Sequence, residues 1–165
     1  MREHYGLLLE KEYFKFSCAH FLIFPDGSKE RLHGHNYQVT CAINAALSDS
    51  GLVLDFIEVK PVIRGLCDEL DEHYILPAEH PGISHEELDD GHIAWRYRDC
   101  RYLAPCDEVL LLPINNSSVE NLARWFAHEL LERLRQRFGE LSLTRLQVAI
   151  SETSGQSGVY TLEDG

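Results

Sequence analysis

Apolar and polar residues alternate along two stretches near the start of the chain, as is typical of strands with one buried face. The alternation predicts one long strand from about residue 5 to residue 22 and a second from about residue 34 to residue 46. Between them, Pro25, Asp26 and Gly27 indicate a turn. The chain is therefore predicted to begin with two strands joined by a short connection.

Two later stretches carry apolar residues at helical spacing. Pro61 cannot lie deep inside a helix without removing a hydrogen bond, so the first helix is predicted to begin near Val59 or Lys60. In the second, Ser117 and Glu120 fit a capping box and Gly139 is placed to end the helix. The predicted apolar faces are Val59, Val62, Ile63, Leu66, Cys67 and Leu70, and then Val119, Leu122, Ala123, Phe126, Leu130, Leu131, Leu134 and Phe138.

Two further strands are predicted at residues 142–151 and 157–162. The order β-β-α-α-β-β indicates an α+β fold, with both helices on one face of an antiparallel sheet. Residues 1–165 are predicted to form a single domain with an insert at about residues 75–113. Some of that insert must be structured, because a bare loop of such length is unusual in a compact domain.

Composition narrows the classes of function. A hydrophobic content of 44% and a charged content of 25% are ordinary for a soluble protein. The net charge of -12 argues against a nucleic-acid partner, and no apolar run suits a membrane span. The five cysteines are an odd number, and the N-terminal stretch lacks the features of a signal peptide. We therefore expect reduced thiols and a cytoplasmic location.

Three histidines carry the candidate chemistry. His33 and His35 are two residues apart on one predicted strand, so their side chains project from the same face. If the strand that carries His20 pairs alongside, the three imidazoles can form a cup. Three protein ligands leave the fourth position of a tetrahedral zinc ion open, as in catalytic zinc sites. The alternative is that these are ordinary core or surface histidines.

Cys18 is two residues before His20 and shares its predicted face. It is a conceivable fourth ligand, although a small apolar packing role is the simpler interpretation.

Several motifs occur in a fixed order along the chain: FSCAH, LHGHNY, GLVLDF, LDEHY, NSSVENLARW and SET. With this set the chain resembles the 6-pyruvoyltetrahydropterin synthase family, which includes 6-carboxytetrahydropterin synthase of the queuosine pathway. The resemblance implies the T-fold, in which subunits form a barrel edge to edge, commonly as a hexamer of two stacked trimers. It also implies zinc held by His20, His33 and His35, with active sites at subunit interfaces.

The chain departs from the family pattern at the general base. The usual cysteine before H-G-H is missing, and Glu30 is the nearest ionisable group suited to proton abstraction. This resembles a variant type with glutamate before L-H-G-H, in which dihydroneopterin triphosphate is cleaved largely to 6-hydroxymethyl-7,8-dihydropterin. The alternative is a solvated loop carboxylate between Lys29 and Arg31.

A second departure is the sequence LDEHY, where the family has histidine directly after the aspartate. Asp71 with His73 is the predicted proton relay, although Glu72 occupies the usual position.

Glu152 matches the family's strand glutamate, which resembles a pterin anchor and relay partner; the alternative is a polar residue at the end of a strand. Asn116, Ser118 and Glu120 match a second pterin-contacting segment, although Glu120 also has a predicted role in the helix cap.

The leading hypothesis is a zinc-dependent lyase acting on the side chain of a reduced pterin triphosphate. It would yield 6-hydroxymethyl-7,8-dihydropterin, 6-pyruvoyltetrahydropterin or both. Three alternatives stay open: a 6-carboxytetrahydropterin synthase, an inactive zinc- and pterin-binding module with a closed metal shell, and a zinc hydrolase with a different substrate.

Overall fold

Ten strands and two α-helices form the part of the chain that a computed structural model describes, residues 3–139 and 141–164. Residues 1, 2 and 165, at the ends of the predicted domain, and residue 140 lie outside it. In chain order the elements are β1 Tyr5–Leu9, β2 Lys15–His20, β3 His33–Ala45, α1 Phe56–Leu70, β4 His73–Pro77, β5 Ile83–Glu87, β6 His92–Tyr97, β7 Cys100–Pro105, a 3-10 turn Cys106–Glu108, β8 Val109–Leu112, α2 Val119–Phe138, β9 Leu143–Thr153 and β10 Gln156–Glu163.

The main sheet has the strand order β10-β9-β3-β2-β4-β8, with β1 also paired to β3. Its β1, β2, β3, β9 and β10 pairings are antiparallel, as predicted, and the α+β class is confirmed. The predicted insert extends this picture. Its first and last strands, β4 and β8, join the main sheet in parallel, whereas β5, β6 and β7 form a separate three-stranded antiparallel sheet.

The first predicted strand is two strands, so the prediction of one strand over residues 5–22 was wrong. A turn closed by the Phe14 N–H on the Lys11 carbonyl, at 2.9 Å, separates β1 from β2. Both strands nevertheless lie along the same partner: β2 pairs with the first half of β3 and β1 with its second half. The alternation of apolar and polar residues continues through the turn, because Phe14 is buried like the strand residues around it. The sequence pattern therefore gives no sign of the turn.

The helix boundaries also correct the sequence analysis. Helix α1 begins at Phe56, where the Asp55 carboxylate accepts the Ile57 N–H at 2.8 Å, and Pro61 lies inside the helix. Pro61 leaves the Ile57 carbonyl without its helical partner, and Ile57 is 72% exposed, so water can satisfy that oxygen. Helix α2 is capped by Ser118 and not by Ser117, while Gly139 ends it as predicted.

The main core lies between the sheet and the two helices. The inner face of β3, at Tyr37, Val39, Cys41 and Ile43, is fully buried against helix residues that include Phe126. A second, smaller cluster joins the three-stranded sheet to the connection after β2. Its buried members are Phe21, Ile23, Tyr74, Leu76, Ile93, Trp95 and Tyr97. Neither helix of the described chain combines the length and apolar character that crossing a membrane requires.

Replacement of the fully buried Phe126 tests how much the main core contributes to the stability of the fold. We expect Phe126→Ala to lower the free energy of unfolding by about 3 to 5 kcal/mol, because it removes buried apolar contacts and leaves a cavity. Urea denaturation followed by circular dichroism measures this change. Arg124→Ala, at an exposed position of the same helix, is the control, and equal midpoints for the two variants would contradict the assigned core.

Candidate metal centre and active site

The pairing of β2 with β3 brings the three predicted histidines together. His20 is directly opposite His33 in the antiparallel register, and His35 lies two residues farther along on the same face. The ring centroids are 4.8 Å apart for His20 and His33, 5.2 Å for His20 and His35, and 4.7 Å for His33 and His35. One ring nitrogen from each lies within 4.8 Å of the others. The predicted cup of imidazoles is thus present, and we refer to these three side chains as the histidine cup.

Backbone carbonyls set the orientation of two of these rings. His20 Nδ1 donates to the Ser117 carbonyl at 3.0 Å, and His33 Nδ1 donates to the Arg31 carbonyl at 2.7 Å. Because a carbonyl oxygen only accepts, each Nδ1 carries the hydrogen and each Nε2 keeps its lone pair. Such a partner on the outer nitrogen is characteristic of histidines that bind metal.

The inner nitrogens meet in a way that suits a cation. His33 Nε2 and His35 Nε2 are 2.9 Å apart, and two lone pairs at this distance repel unless a proton or cation lies between them. Burial lowers the pKa of His20 to about 4, so this ring is neutral at physiological pH. Neutral imidazole nitrogens suit zinc and similar transition-metal ions, whereas magnesium and calcium prefer oxygen ligands. The residues present therefore fit a nitrogen-preferring divalent metal.

Cys18 does not complete the cup. The group of metal-binding side chains found among the described residues contains the three histidines alone. Cys18 is 5% exposed within the main core, and burial raises the pKa of its thiol to about 12. The Cys18 sulfur also lies outside the group of ligand atoms that are close to one another. The interpretation of Cys18 as a fourth ligand was wrong, and its packing role is confirmed.

Two carboxylates flank the cup. Glu30 Oε2 lies 3.7 Å from His33 Nε2, and Glu152 Oε2 lies 3.7 Å from His35 Nε2. Both distances are too long for a direct hydrogen bond, but they place both carboxylates next to rings of the cup. Glu30 comes from the connection between β2 and β3, and Glu152 from the end of β9. The structure thus brings the predicted base and the predicted pterin anchor next to the same cluster of three rings.

Two hydrogen bonds to the backbone of Leu22 also hold Glu30 in place. Its Oε2 accepts the Leu22 N–H at 3.1 Å, and its own N–H donates to the Leu22 carbonyl at 3.0 Å. The Glu30 side chain is 32% exposed, so it is only partly in contact with solvent.

Asp71 and His73 lie at the end of α1 and the start of β4. Asp71 Oδ1 accepts the Ser17 N–H at 2.6 Å, and His73 Nδ1 donates to the Asp71 carbonyl at 2.7 Å. Between them, Glu72 has a left-handed backbone with φ 58°. This local irregularity occurs where the chain has one residue more than the family pattern between the aspartate and the histidine. In the described ranges no hydrogen bond or ion pair joins either residue to the cup or to Glu30. His73 and His35 do line the same cavity, of about 510 Å³.

The second predicted pterin-contacting segment has structural roles in this chain. Asn116 binds the backbone of Ile23 on both sides, accepting its N–H at 3.2 Å and donating to its carbonyl at 2.8 Å. The Ser118 hydroxyl accepts the Asn121 N–H at 3.4 Å as the helix cap. Glu120 is exposed in the first turn of α2, and the predicted capping box of Ser117 with Glu120 was wrong.

Two residues of the site were missed in the sequence. Ser117 is fully buried, and its carbonyl and hydroxyl both face His20 Nδ1, the hydroxyl at 3.2 Å. The Tyr37 hydroxyl lies 3.1 Å from His20 Nε2, and burial raises the pKa of this phenol. The pattern contained a signal for Tyr37, which is two residues beyond His35 on the same strand face. Nothing local marks Ser117, because it reaches the site through a contact 97 residues away.

Residues 9–163 match the family model described as 6-pyruvoyl tetrahydropterin synthase. The chain belongs to this family. A Methanocaldococcus jannaschii relative, provisionally named 6-carboxy-5,6,7,8-tetrahydropterin synthase, is 34% identical over 147 residues, which cover 88% of each chain. An Aquifex aeolicus protein with the same name is 28% identical over 80% of this chain and 75% of its own length.

Solved structures of the family share the fold. The 6-pyruvoyl tetrahydropterin synthase of Plasmodium vivax aligns with a TM-score of 0.87 at 30% identity, covering 99% of this chain and all (100%) of its own. The Plasmodium falciparum protein aligns with a TM-score of 0.88 at 28% identity over the same shares. The fold is therefore the T-fold. The P. vivax protein has also been solved with a glutamate, described as its catalytic residue, replaced by alanine or by cysteine.

Loss of one ring of the cup should abolish tight metal binding. We expect His35→Ala to retain less than about a tenth of the wild-type metal after dialysis against a weak chelator, because two imidazoles hold a divalent ion far less tightly than three. Elemental analysis of the purified protein measures this. His128→Ala, an exposed histidine on α2, is the control, and equal metal content in the two variants would contradict the assigned site.

Proposed function

We propose that this chain is a zinc-dependent lyase acting on the side chain of 7,8-dihydroneopterin triphosphate. The proposed main product is 6-hydroxymethyl-7,8-dihydropterin, with 6-pyruvoyltetrahydropterin as a second product. The single observation that carries the proposal is the position of Glu30, whose carboxylate lies 3.7 Å from His33 Nε2. The P. vivax relative, with a glutamate described as catalytic, supports this assignment.

His20, His33 and His35 would hold the zinc ion through their Nε2 atoms. Zinc bound there would supply a Lewis acid that polarises the oxygens of the pterin side chain. Glu30 would then remove the proton from a side-chain hydroxyl. The Glu30 carboxylate lies beside the cup and can accept this proton, whereas the Cys18 thiol is buried in the main core.

Proton removal from a hydroxyl leads to carbon–carbon cleavage. The oxygen that loses its proton forms a carbonyl, the bond to the neighbouring carbon breaks, and the pterin-side carbon keeps the electron pair until it receives a proton. The triphosphate leaves with the aldehyde fragment. Removal of a carbon-bound proton would instead lead towards the 6-pyruvoyl product. The position of the base relative to the side chain therefore selects the product.

Glu152 would anchor the pterin ring. A carboxylate can accept two hydrogen bonds, one from the amino group and one from the ring N–H of a pterin. Glu152 lies 3.7 Å from His35 Nε2, so a ring bound there would present its side chain beside the cup. Asn116 and Ser118 are occupied with backbone groups, which leaves Glu120 as the freer member of that segment.

For the proton relay of Asp71 and His73 we propose a contribution from a second copy of the chain. Within one chain the two residues make no described hydrogen bond or ion pair with the cup. The main sheet ends at β10 and β8, and outer strands such as these can pair with another subunit. We propose a homo-oligomer, a hexamer of two trimers, in which His73 approaches the cup of a neighbouring copy.

Two other functions are kept as alternatives. The M. jannaschii relative favours a 6-carboxytetrahydropterin synthase, which would form 6-carboxytetrahydropterin with release of acetaldehyde. An inactive zinc- and pterin-binding module would give no turnover, but the closed shell expected for it has no support from the buried Cys18.

Product identification tests the proposal directly. With dihydroneopterin triphosphate and zinc, we expect 6-hydroxymethyl-7,8-dihydropterin as the main product by liquid chromatography and mass spectrometry. Formation of 6-pyruvoyltetrahydropterin alone would refute the cleavage step. Formation of 6-carboxytetrahydropterin with acetaldehyde would support the alternative synthase.

Glu30→Gln should separate the role of the base from metal binding. The amide has nearly the same shape but cannot accept the proton, so we expect kcat to fall by about 10² to 10⁴ with unchanged zinc content. Glu86→Gln, at an exposed position on β5, is the matched control. Wild-type turnover in Glu30→Gln would remove Glu30 from the mechanism.

A further inference from the structure

The side chain of Lys29, next to Glu30, lies on aromatic rings instead of in solvent. Lys29 Nζ is 4.6 Å from the centre of the Phe21 ring and 5.5 Å from the centre of the Tyr102 ring. The same Nζ donates a hydrogen bond to the Glu30 carbonyl at 2.9 Å. The ammonium group therefore links the backbone of Glu30 to two rings through charge–quadrupole attraction and a hydrogen bond.

One of these rings belongs to the three-stranded sheet. Tyr102 lies on β7 and stacks on Phe21 with centroids 5.6 Å apart, and its other neighbour is Trp95 on β6, at 5.4 Å. Trp95 is 2% exposed within the second cluster, so the stacked rings of Phe21 and Tyr102 pack against a buried side chain. The rings beneath Lys29 are thus fixed by the folding of the insert.

The same sheet holds the connection at a second point. The Tyr97 hydroxyl donates to the Gly27 carbonyl at 2.8 Å. The Arg98 guanidinium packs against Gly27 so closely that a Cβ at this glycine would lie 1.8 Å from Arg98 Nη2. Gly27 also has φ 79°, which favours glycine. Both contacts occur at the tip of the connection between β2 and β3, which also contains Glu30.

Contacts within the connection between β2 and β3 link these two points of attachment to the Glu30 carboxylate. Ile23 and Lys29 form an isolated antiparallel bridge, and the Glu30 N–H donates to the Leu22 carbonyl at 3.0 Å. Movement of Lys29 would therefore move the backbone of Glu30 together with its carboxylate.

We propose that the three-stranded sheet positions Glu30 against the histidine cup, with Lys29 and Tyr102 as positioning residues. This inference rests on the proposed function of Glu30 as the base. The Lys29 ammonium is thereby assigned to the rings and not to the substrate triphosphate, for which the exposed Arg31 is the freer cation. Small displacements of a catalytic group are costly, since a misplacement of about 1 Å can slow a reaction by about 100-fold.

Two pairs of variants test the proposal in the full-length, zinc-loaded protein. Tyr102→Leu removes the ring and Lys29→Met removes the charge, whereas Tyr102→Phe and Lys29→Arg keep the ring and the charge. We expect kcat to fall by about ten-fold in the first pair, with KM and zinc content unchanged and amide hydrogen exchange faster at residues 22–30. The conservative pair should behave as wild type, as should Lys11→Met, an exposed lysine in the turn before β2.

The alternatives give different results. A rise in KM with unchanged kcat in Lys29→Met would place Lys29 on the substrate and overturn the proposal. Wild-type exchange at residues 22–30 in both Tyr102→Leu and Lys29→Met would also overturn it. If the wild-type chain shows no lyase activity, the proposed function fails, and the exchange result alone then decides whether the sheet holds this connection.

Discussion

The site depends on one constraint, the register in which β2 and β3 pair. Opposition of His20 and His33 fixes two rings, and strand alternation then places His35 beside them. A shift of one residue would turn His20 to the other face of the sheet and would expose buried neighbours such as Phe16 and Cys18. The hydrophobic core and the metal-binding geometry therefore require the same register, so the packing of the core also assembles the cup.

Polar contacts orient the side chains that the pairing of β2 with β3 brings together. The carbonyls of Ser117 and Arg31 fix which nitrogens of His20 and His33 face inward, so the cup receives lone pairs and not N–H groups. Glu30 and Glu152 place carboxylates beside the cup without belonging to the cluster of three histidines. The cup therefore combines nitrogen donors with nearby carboxylates, a set of groups that fits a divalent cation.

The sequence predicted the features that depend on local periodicity. Alternation identified β3, and the spacing of His33 and His35 identified the cup. Features that depend on distant contacts were not predictable in this way: Phe14 looks like a strand residue because it is buried, and Ser117 looks like a helix cap because serine suits both roles. The parallel pairing of β4 and β8 also left no periodic signal. Asp71 and His73 were proposed from a motif, and in a single chain His73 shares a cavity with His35 without a direct hydrogen bond or ion pair to the cup among the described residues.

The histidine cup and the Ser117 carbonyl that orients His20 are far apart in sequence, and this has a consequence for the order of folding. All three imidazoles belong to one antiparallel hairpin, which the ribosome completes early, whereas the carbonyl that orients His20 arrives 97 residues later. The ring of His20 therefore takes its final orientation only when the segment before α2 packs against the hairpin. A substitution in that distant segment can change the geometry of the cup while all three histidines stay in place.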